Sequence, residues 1–353
     1  MDYNHIEYKK PFFPINEGLL SHLERNGRTS HIDVSYEDLT QYTDLMSVLD
    51  DNGEDTLWYS ALYPPHEMAD LHKKLVNVYE ILIADGFKIP YLKIGSIEFC
   101  SFGNSKPFRI KVVNEINDNH DFFYVKRADA SRIYGLELEE IFSPDKTSFL
   151  VNGNTLIEEH IIGVPCDDFI LNNKDVKIVN RTRFAKEFVK FNERCFTRLL
   201  GDMRAYNFVV EITQDFDNVQ YRLRAIDFDQ QSYEGRKSIY LPQYYKDNIA
   251  LVNLAQELLT HDVAEQYKKE ERAAMRKRYL SRKKRTKSLL LSMKHDEIST
   301  YENVRQLCKE LNHHHNTTEF ADHFNMGDIL ARHLEFQLRI NIFEIGSALE
   351  NSD

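Results

Sequence analysis

The sequence predicts an α+β protein: a small antiparallel sheet with one helix against it, followed by a larger, mainly helical region. Two observations carry this. From Phe87 to Ile162 short apolar runs are punctuated by turn residues and interrupted by a single helical pattern, whereas beyond Gly163 the apolar period is mostly helical. A single hairpin stands out within the helical region. Phe208–Ile212 and Tyr221–Ile226 are apolar runs on either side of the polar loop 213–220. At 353 residues the chain is long for one simple domain, so two lobes or domains are expected.

Composition narrows the classes. Charged residues make up 29% and hydrophobic residues 42%, the balance of a soluble globular protein. A net charge of −11 argues against nucleic-acid binding by the surface as a whole. Cys100, Cys166, Cys195 and Cys308 are scattered and form no CxxC pair, which fits reduced thiols and offers no zinc site. The start, Met1-Asp2-Tyr3-Asn4-His5, lacks the basic and then apolar pattern of a signal peptide, and no apolar run reaches membrane-spanning length. A cytoplasmic protein with no membrane partner is expected.

Residues 1–86 read as an extension packed on the sheet region. Pro11, Pro14 and Asp50-Asp51-Asn52-Gly53 mark turns; after Pro64-Pro65, Met68, Leu71, Leu75, Val78, Ile81 and Leu82 share one helical face, with Gly86 as the stop. The sheet region is placed at 87–160. Ile94–Ser101 and Phe108–Val113 are strands around a turn at 102–107, and Phe122–Arg127 is a third. Ala130–Phe142 is a short helix with Ile133, Leu136, Glu137, Glu140 and Ile141 near one face. Ser148–Val151 and Thr155–Glu159 form a hairpin around Asn152-Gly153, a type I′ signal. The helical region, 161–353, holds Arg181–Leu200 with Phe184, Phe188, Phe191, Cys195 and Leu199 on one stripe, read as a core helix. It also holds a connector at 240–245, helices over 249–259 and 304–311, and a closing helix over 329–345.

The hairpin organises the chemistry. Asp202 and Asn207 precede its first strand and Asp227 follows its second, so the turn should bring Asn207 and Asp227 side by side with Asp202 close by. Two oxygen ligands and one further carboxylate around one spot suit magnesium-assisted phosphoryl transfer. The plain alternatives are a turn former at Asn207, a strand-end cap at Asp227 and a turn aspartate at Asp202.

Four stretches in this order resemble the protein-kinase-like superfamily, most closely its aminoglycoside-phosphotransferase-like members. Val125-Lys126 matches the third-strand lysine, and Leu156 to Gly163 the apolar strand, acidic residue and glycine between the lobes. Gly201-Asp202 through Asn207 matches the catalytic loop, and Ile226-Asp227-Phe228 the start of the metal-binding loop. The resemblance covers about residues 90–260. It implies a bilobal kinase-like fold, with a small antiparallel N-lobe and a helical C-lobe carrying the catalytic hairpin 201–229.

It also implies residue roles. Asp202 would take the acceptor hydroxyl's proton, and Asn207 and Asp227 would hold Mg2+, with Asp229 a further ligand or a turn cap. Lys126 would contact the α- and β-phosphates of ATP, held by a helix glutamate, Glu137 in the first place and Glu140 as fallback. Arg204 would grip the transferred phosphate or is a surface arginine. Backbone groups of Glu159, His160 and Ile161 would hold the adenine. One departure stands out: no Gly-x-Gly-x-x-Gly lies between the first two strands, which offer only Gly95-Ser96 and Gly103-Asn104-Ser105.

The function so implied is transfer of the γ-phosphate of ATP to a hydroxyl of a small molecule or an atypical protein target, since no Ala-Pro-Glu follows the metal loop. The rivals are a pseudokinase serving as nucleotide-binding or scaffold module and an adenylylating enzyme of the same fold. Outside the resemblance, a basic helix over 266–290 carries a cationic run, Lys268–Lys287, able to recruit an acidic or phosphorylated partner, or to be a solvated face docked through Met275, Tyr279 and Leu280. His313-His314-His315 with His323 is read as an exposed loop rather than a metal site.

Overall fold

In a computed structural model the described residues are 10–50, 52–101, 105–172, 180–215, 218–321 and 324–343. The protein is α+β and divides into two compact units. Met1–Ile133 with Thr147–Ile161 forms the first, and Tyr134–Lys146 with Ile162–Asp353 the second.

The first unit is built on one antiparallel sheet. In chain order it contains α1 (Glu17–Arg25), α2 (Tyr36–Leu39), β1 (Asp44–Leu49), β2 (Asp55–Leu62), α3 (Pro65–Ala84), β3 (Leu92–Cys100), β4 (Phe108–Asn114) and β5 (His120–Arg127). The first turn of α4 (Ala130–Phe142) follows, then β6 (Phe149–Asn152) and β7 (Thr155–Glu159). The sheet order is β1-β2-β3-β4-β5-β7-β6. The stretch expected to be a packed extension instead supplies two strands, not anticipated from the sequence, to this sheet: β2 pairs with β3 at Trp58↔Cys100 and Ser60↔Glu98. Helix α3 starts on Pro65, whose missing N–H is no loss there, and stops at left-handed Asp85 and Gly86. Leu75, Val78, Tyr79 and Leu82 pack in one core with Ile97, Phe108, Ile110, Phe123, Val125 and Ile157. The β6–β7 turn is shifted by one residue from the expected Asn152-Gly153. Asn152 pairs with Thr155, so Gly153 and Asn154 are the loop, and only Gly153 has positive φ, which fits Gly at the first position of a II′ turn. The turn glycine Gly103 and Asn104 lie outside the described residues.

The second unit begins with the rest of α4 and continues with β8 (Val164–Pro165), α5 (Cys166–Asn172), α6 (Arg181–Thr197), β9 (Phe208–Asp215) and β10 (Asn218–Ala225). Then come α7 (Ile249–Leu258), α8 (His261–Ser281), α9 (Lys283–Lys294), α10 (Tyr301–His315) and α11 (Met326–Leu338). The aromatic stripe of α6 is buried, as its spacing predicts. The hairpin strands are longer than expected, with Asn218 already paired to Asp215. Three further expectations are corrected. The basic stretch is two helices, because the backbone leaves the helical region at Arg282. The triple histidine is the last turn of α10, ended by left-handed Asn316, rather than a loop; His323 lies outside the described residues. The closing helix ends at Leu338, where left-handed Arg339 caps it.

Candidate active site

Cross-strand register places Glu98, Arg109, Tyr124 and Glu158 in one row on the sheet face opposite the core. Lys126, two residues after Tyr124, shares that face. Its Nζ donates to Glu158 Oε2 at 2.6 Å, and Arg132, in the first turn of α4, donates to both oxygens of the same carboxylate. Lys126 is 7% exposed, Arg132 2% and Glu158 5%. Burial acts to raise the Glu158 pKa, but the Arg132 and Lys126 charges outweigh it and hold the carboxyl well below its ordinary range. The carboxylate shown on Lys126 is thus on a strand, where sequence reasoning looked to the helix. Glu137 accepts from Nε and Nη2 of Arg285, at 2.9 and 2.6 Å, and Glu140 pairs with Arg282. The reason is periodicity: the helical stripe that selected Glu137 says which residues share a face, not which cation reaches that face.

At the end of β7, Glu159 N–H donates to Ser148 C=O at 3.0 Å and His160 N–H to Phe122 C=O at 3.3 Å. These two amides are committed to sheet pairing. The His160 ring sits 3.1 Å from Tyr124 Oη through Nδ1 and packs on Phe122; burial lowers its pKa and so favours the neutral ring.

In the second unit the hairpin brings its ends together. Ala225 pairs with Phe208, and one step further Ile226 N–H donates to Asn207 C=O at 3.0 Å, so Asp227 comes one residue after the position bonded to Asn207. Asn207 Nδ2 donates to Asp202 C=O at 2.7 Å, which ties the first aspartate to the same spot and leaves Oδ1 as the amide's acceptor. Asp227 Oδ1 accepts Asp229 N–H at 3.0 Å, an Asx turn that orients the Asp227 carboxylate. Arg204 Nε donates to Asp202 Oδ1 at 3.0 Å and Nη1 to Asp247 Oδ2 at 3.2 Å, with the guanidinium over the Tyr245 ring. Arg204 is therefore attached to the candidate base itself.

Several supporting residues escaped the sequence reading. Asp202 N–H lies 3.1 Å from Tyr245 Oη, and that phenol donates to Ile239 C=O. Leu199, Asp202 and Ser232 have φ of 52°, 56° and 49°, a gathering of strained non-glycine residues of the kind that marks functional loops. Gln231 secures the turn by donating from Nε2 to the carbonyls of Arg198 and Leu199. Gly135 in α4 admits the metal-loop candidate. A Cβ there would lie 2.9 Å from Phe228 Cβ and 3.2 Å from Gln231 Cβ. A lone glycine inside a helical pattern is the signal that could have found it. Gly135→Ala gains about 1 kcal/mol of helix propensity but overpacks this contact by roughly 1–3 kcal/mol. A net fall in thermal stability is expected, measured by calorimetry; a net rise would show that Phe228 yields freely.

The donor set fits magnesium rather than a softer ion. Asn207, Asp227 and Asp229 offer oxygen only, and magnesium takes one or two carboxylates and completes its shell with water and phosphate oxygens. No group of three or more His, Cys, Asp or Glu able to hold a metal stands among the described residues. Neither protein-family models nor curated proteins give a match to this chain.

Proposed function

We propose that this protein is an ATP- and magnesium-dependent phosphotransferase of the protein-kinase-like fold, moving the γ-phosphate to a hydroxyl of a small molecule or an atypical protein target. One observation carries the reading: at the root of the hairpin Asn207 bonds the backbone of Ile226, the neighbour of Asp227, on one side and the backbone of Asp202 on the other. The sheet adds support. Three strands, a helix and two strands stand in the order the resemblance implies, with a buried, charge-compensated lysine on the third.

In this reading Asp202 accepts the hydroxyl proton of the acceptor as transfer proceeds, and Arg204 fixes the carboxylate's direction through Oδ1. Asn207 and Asp227 would hold magnesium, with Asp229 shaping the loop; the ion, when bound, neutralises charge on the nucleotide phosphates. Lys126 would add a point charge for the α- and β-phosphates. The amides of Glu159 and His160 serve the sheet, so of the three backbone candidates for the base Ile161 is the one this reading keeps.

The test is a thermal-shift titration with ATP and magnesium, since a ligand that binds only the folded state raises stability by about 2.7 kcal/mol at a hundredfold excess over Kd. The shift should appear with the wild type, require magnesium and vanish in Asp227→Asn. An unchanged shift in that variant would remove Asp227 from the site.

A further inference from the structure

Residues 276–287 contain eight arginines and lysines and no acid. Helices α8 and α9 sort these cations by face. The arginines at 278, 282 and 285 turn inward on α4. Arg278 Nη1 donates to Phe142 C=O at 2.9 Å, Arg282 bonds the carbonyls of Glu140 and Ile141, and Arg285 grips Glu137. Cations placed on the last carbonyls of a helix also meet the negative end of its dipole. Met275, Tyr279, Leu289, Leu290 and Met293 are buried, so both helices are fixed in orientation.

The other five cations lie on the remaining face. Arg276, Lys277, Lys283 and Lys284 are exposed, Lys287 is half-buried, and none of the five has an ion-pair partner among the described residues. Each helix adds an exposed leucine beside them. Leu280, 50% exposed, lies three and four residues after Lys277 and Arg276; Leu291, 41% exposed, lies four after Lys287. Leu280, expected from the sequence to dock inward, thus faces out.

We propose that this face of α8 and α9 docks on an anionic lipid surface. Unpaired lysines act as point charges for headgroup phosphates, and leucines one turn away suit the boundary between headgroups and acyl chains. A nucleic acid or an acidic peptide would use the cations, but a phosphate backbone has no use for the two leucines. The docking proposed is peripheral, made by charged and apolar side chains on the surface of α8 and α9. On a chain of net charge −11, so local a patch also sets which side approaches the surface.

The full-length protein is sedimented with vesicles of phosphatidylcholine alone or mixed with phosphatidylserine, and its binding to polyuridylate is measured in parallel. Binding should be confined to the anionic vesicles and weaken as salt rises. The pair Lys277→Glu and Lys284→Glu should lower it at least about tenfold, and the neutral pair Lys277→Ala and Lys284→Ala by less. The pair Leu280→Ser and Leu291→Ser should weaken vesicle binding without altering polyuridylate binding. All four positions are exposed, so melting temperatures should stay at the wild-type value. Equal binding to neutral vesicles, no vesicle binding, or tighter polyuridylate binding indifferent to the leucines would each overturn the proposal.

Discussion

Alanine at Asp202 is expected to lower phosphate transfer by about 10²–10⁴-fold, the range for loss of a positioned general base, while ATP and magnesium still raise the melting temperature. The carboxylate is dispensable for the hairpin, because Asn207 bonds the Asp202 backbone carbonyl rather than its side chain. A second variant separates chemistry from strain. Asp202 has φ of 56°, a region that L residues enter at about 1–2 kcal/mol and glycine without penalty. Asp202→Gly should therefore be as inactive as Asp202→Ala but more stable by roughly 1 kcal/mol. Equal stabilities would mean that the loop relaxes when the side chain is cut back. Retained activity in either variant would remove Asp202 from the mechanism.

The largest stability effect is expected at Glu158. This carboxylate compensates Lys126 and Arg132 in a buried setting, and removing one partner of a buried pair typically costs about 3–5 kcal/mol, since the remaining charge is left desolvated. Glu158→Ala should therefore unfold at markedly lower urea, whereas Arg127→Ala next to Lys126 should change little, because Arg127 is exposed. The pH dependence follows from the depressed pKa. A group whose folded pKa lies below its unfolded one binds more protons when unfolded, so its stabilisation is complete above the unfolded value and is lost as pH falls towards the folded one. The wild type should lose this contribution between about pH 4.5 and about pH 2, and Glu158→Ala should lack that component of the acid transition. Chemical denaturation over this range measures both; identical acid profiles would show that the triad is not compensated as described.

The legible regions of the molecule were those set by local periodicity. Helix α4 runs from Ala130 to Phe142 and β7 from Thr155 to Glu159, as apolar spacing indicates, and the hairpin that joins Asn207 to Asp227 needed only two apolar runs and a turn. Strands β1 and β2 were missed although their turn was seen. The residues of β1 are mostly exposed, as befits the edge of a sheet, so no apolar alternation announces it. What local spacing cannot supply is the partner of a charge. Glu137 meets Arg285 across 148 positions of chain, and Arg204 meets Asp247 across 43. The sequence named the titratable groups of the candidate site well before it could say how they are tied together.

Transfer of label from ATP separates γ-phosphoryl transfer from adenylylation and from simple nucleotide binding. The protein is incubated with magnesium and either γ-labelled or α-labelled ATP, alone and with a panel of small hydroxyl compounds, beside Asp202→Ala. Label is expected to leave the γ-position, as inorganic phosphate or on a hydroxyl, with ADP as the nucleotide product, and Asp202→Ala to abolish it. Label from the α-position on protein or small molecule, or γ-label released equally by Asp202→Ala, would contradict this expectation.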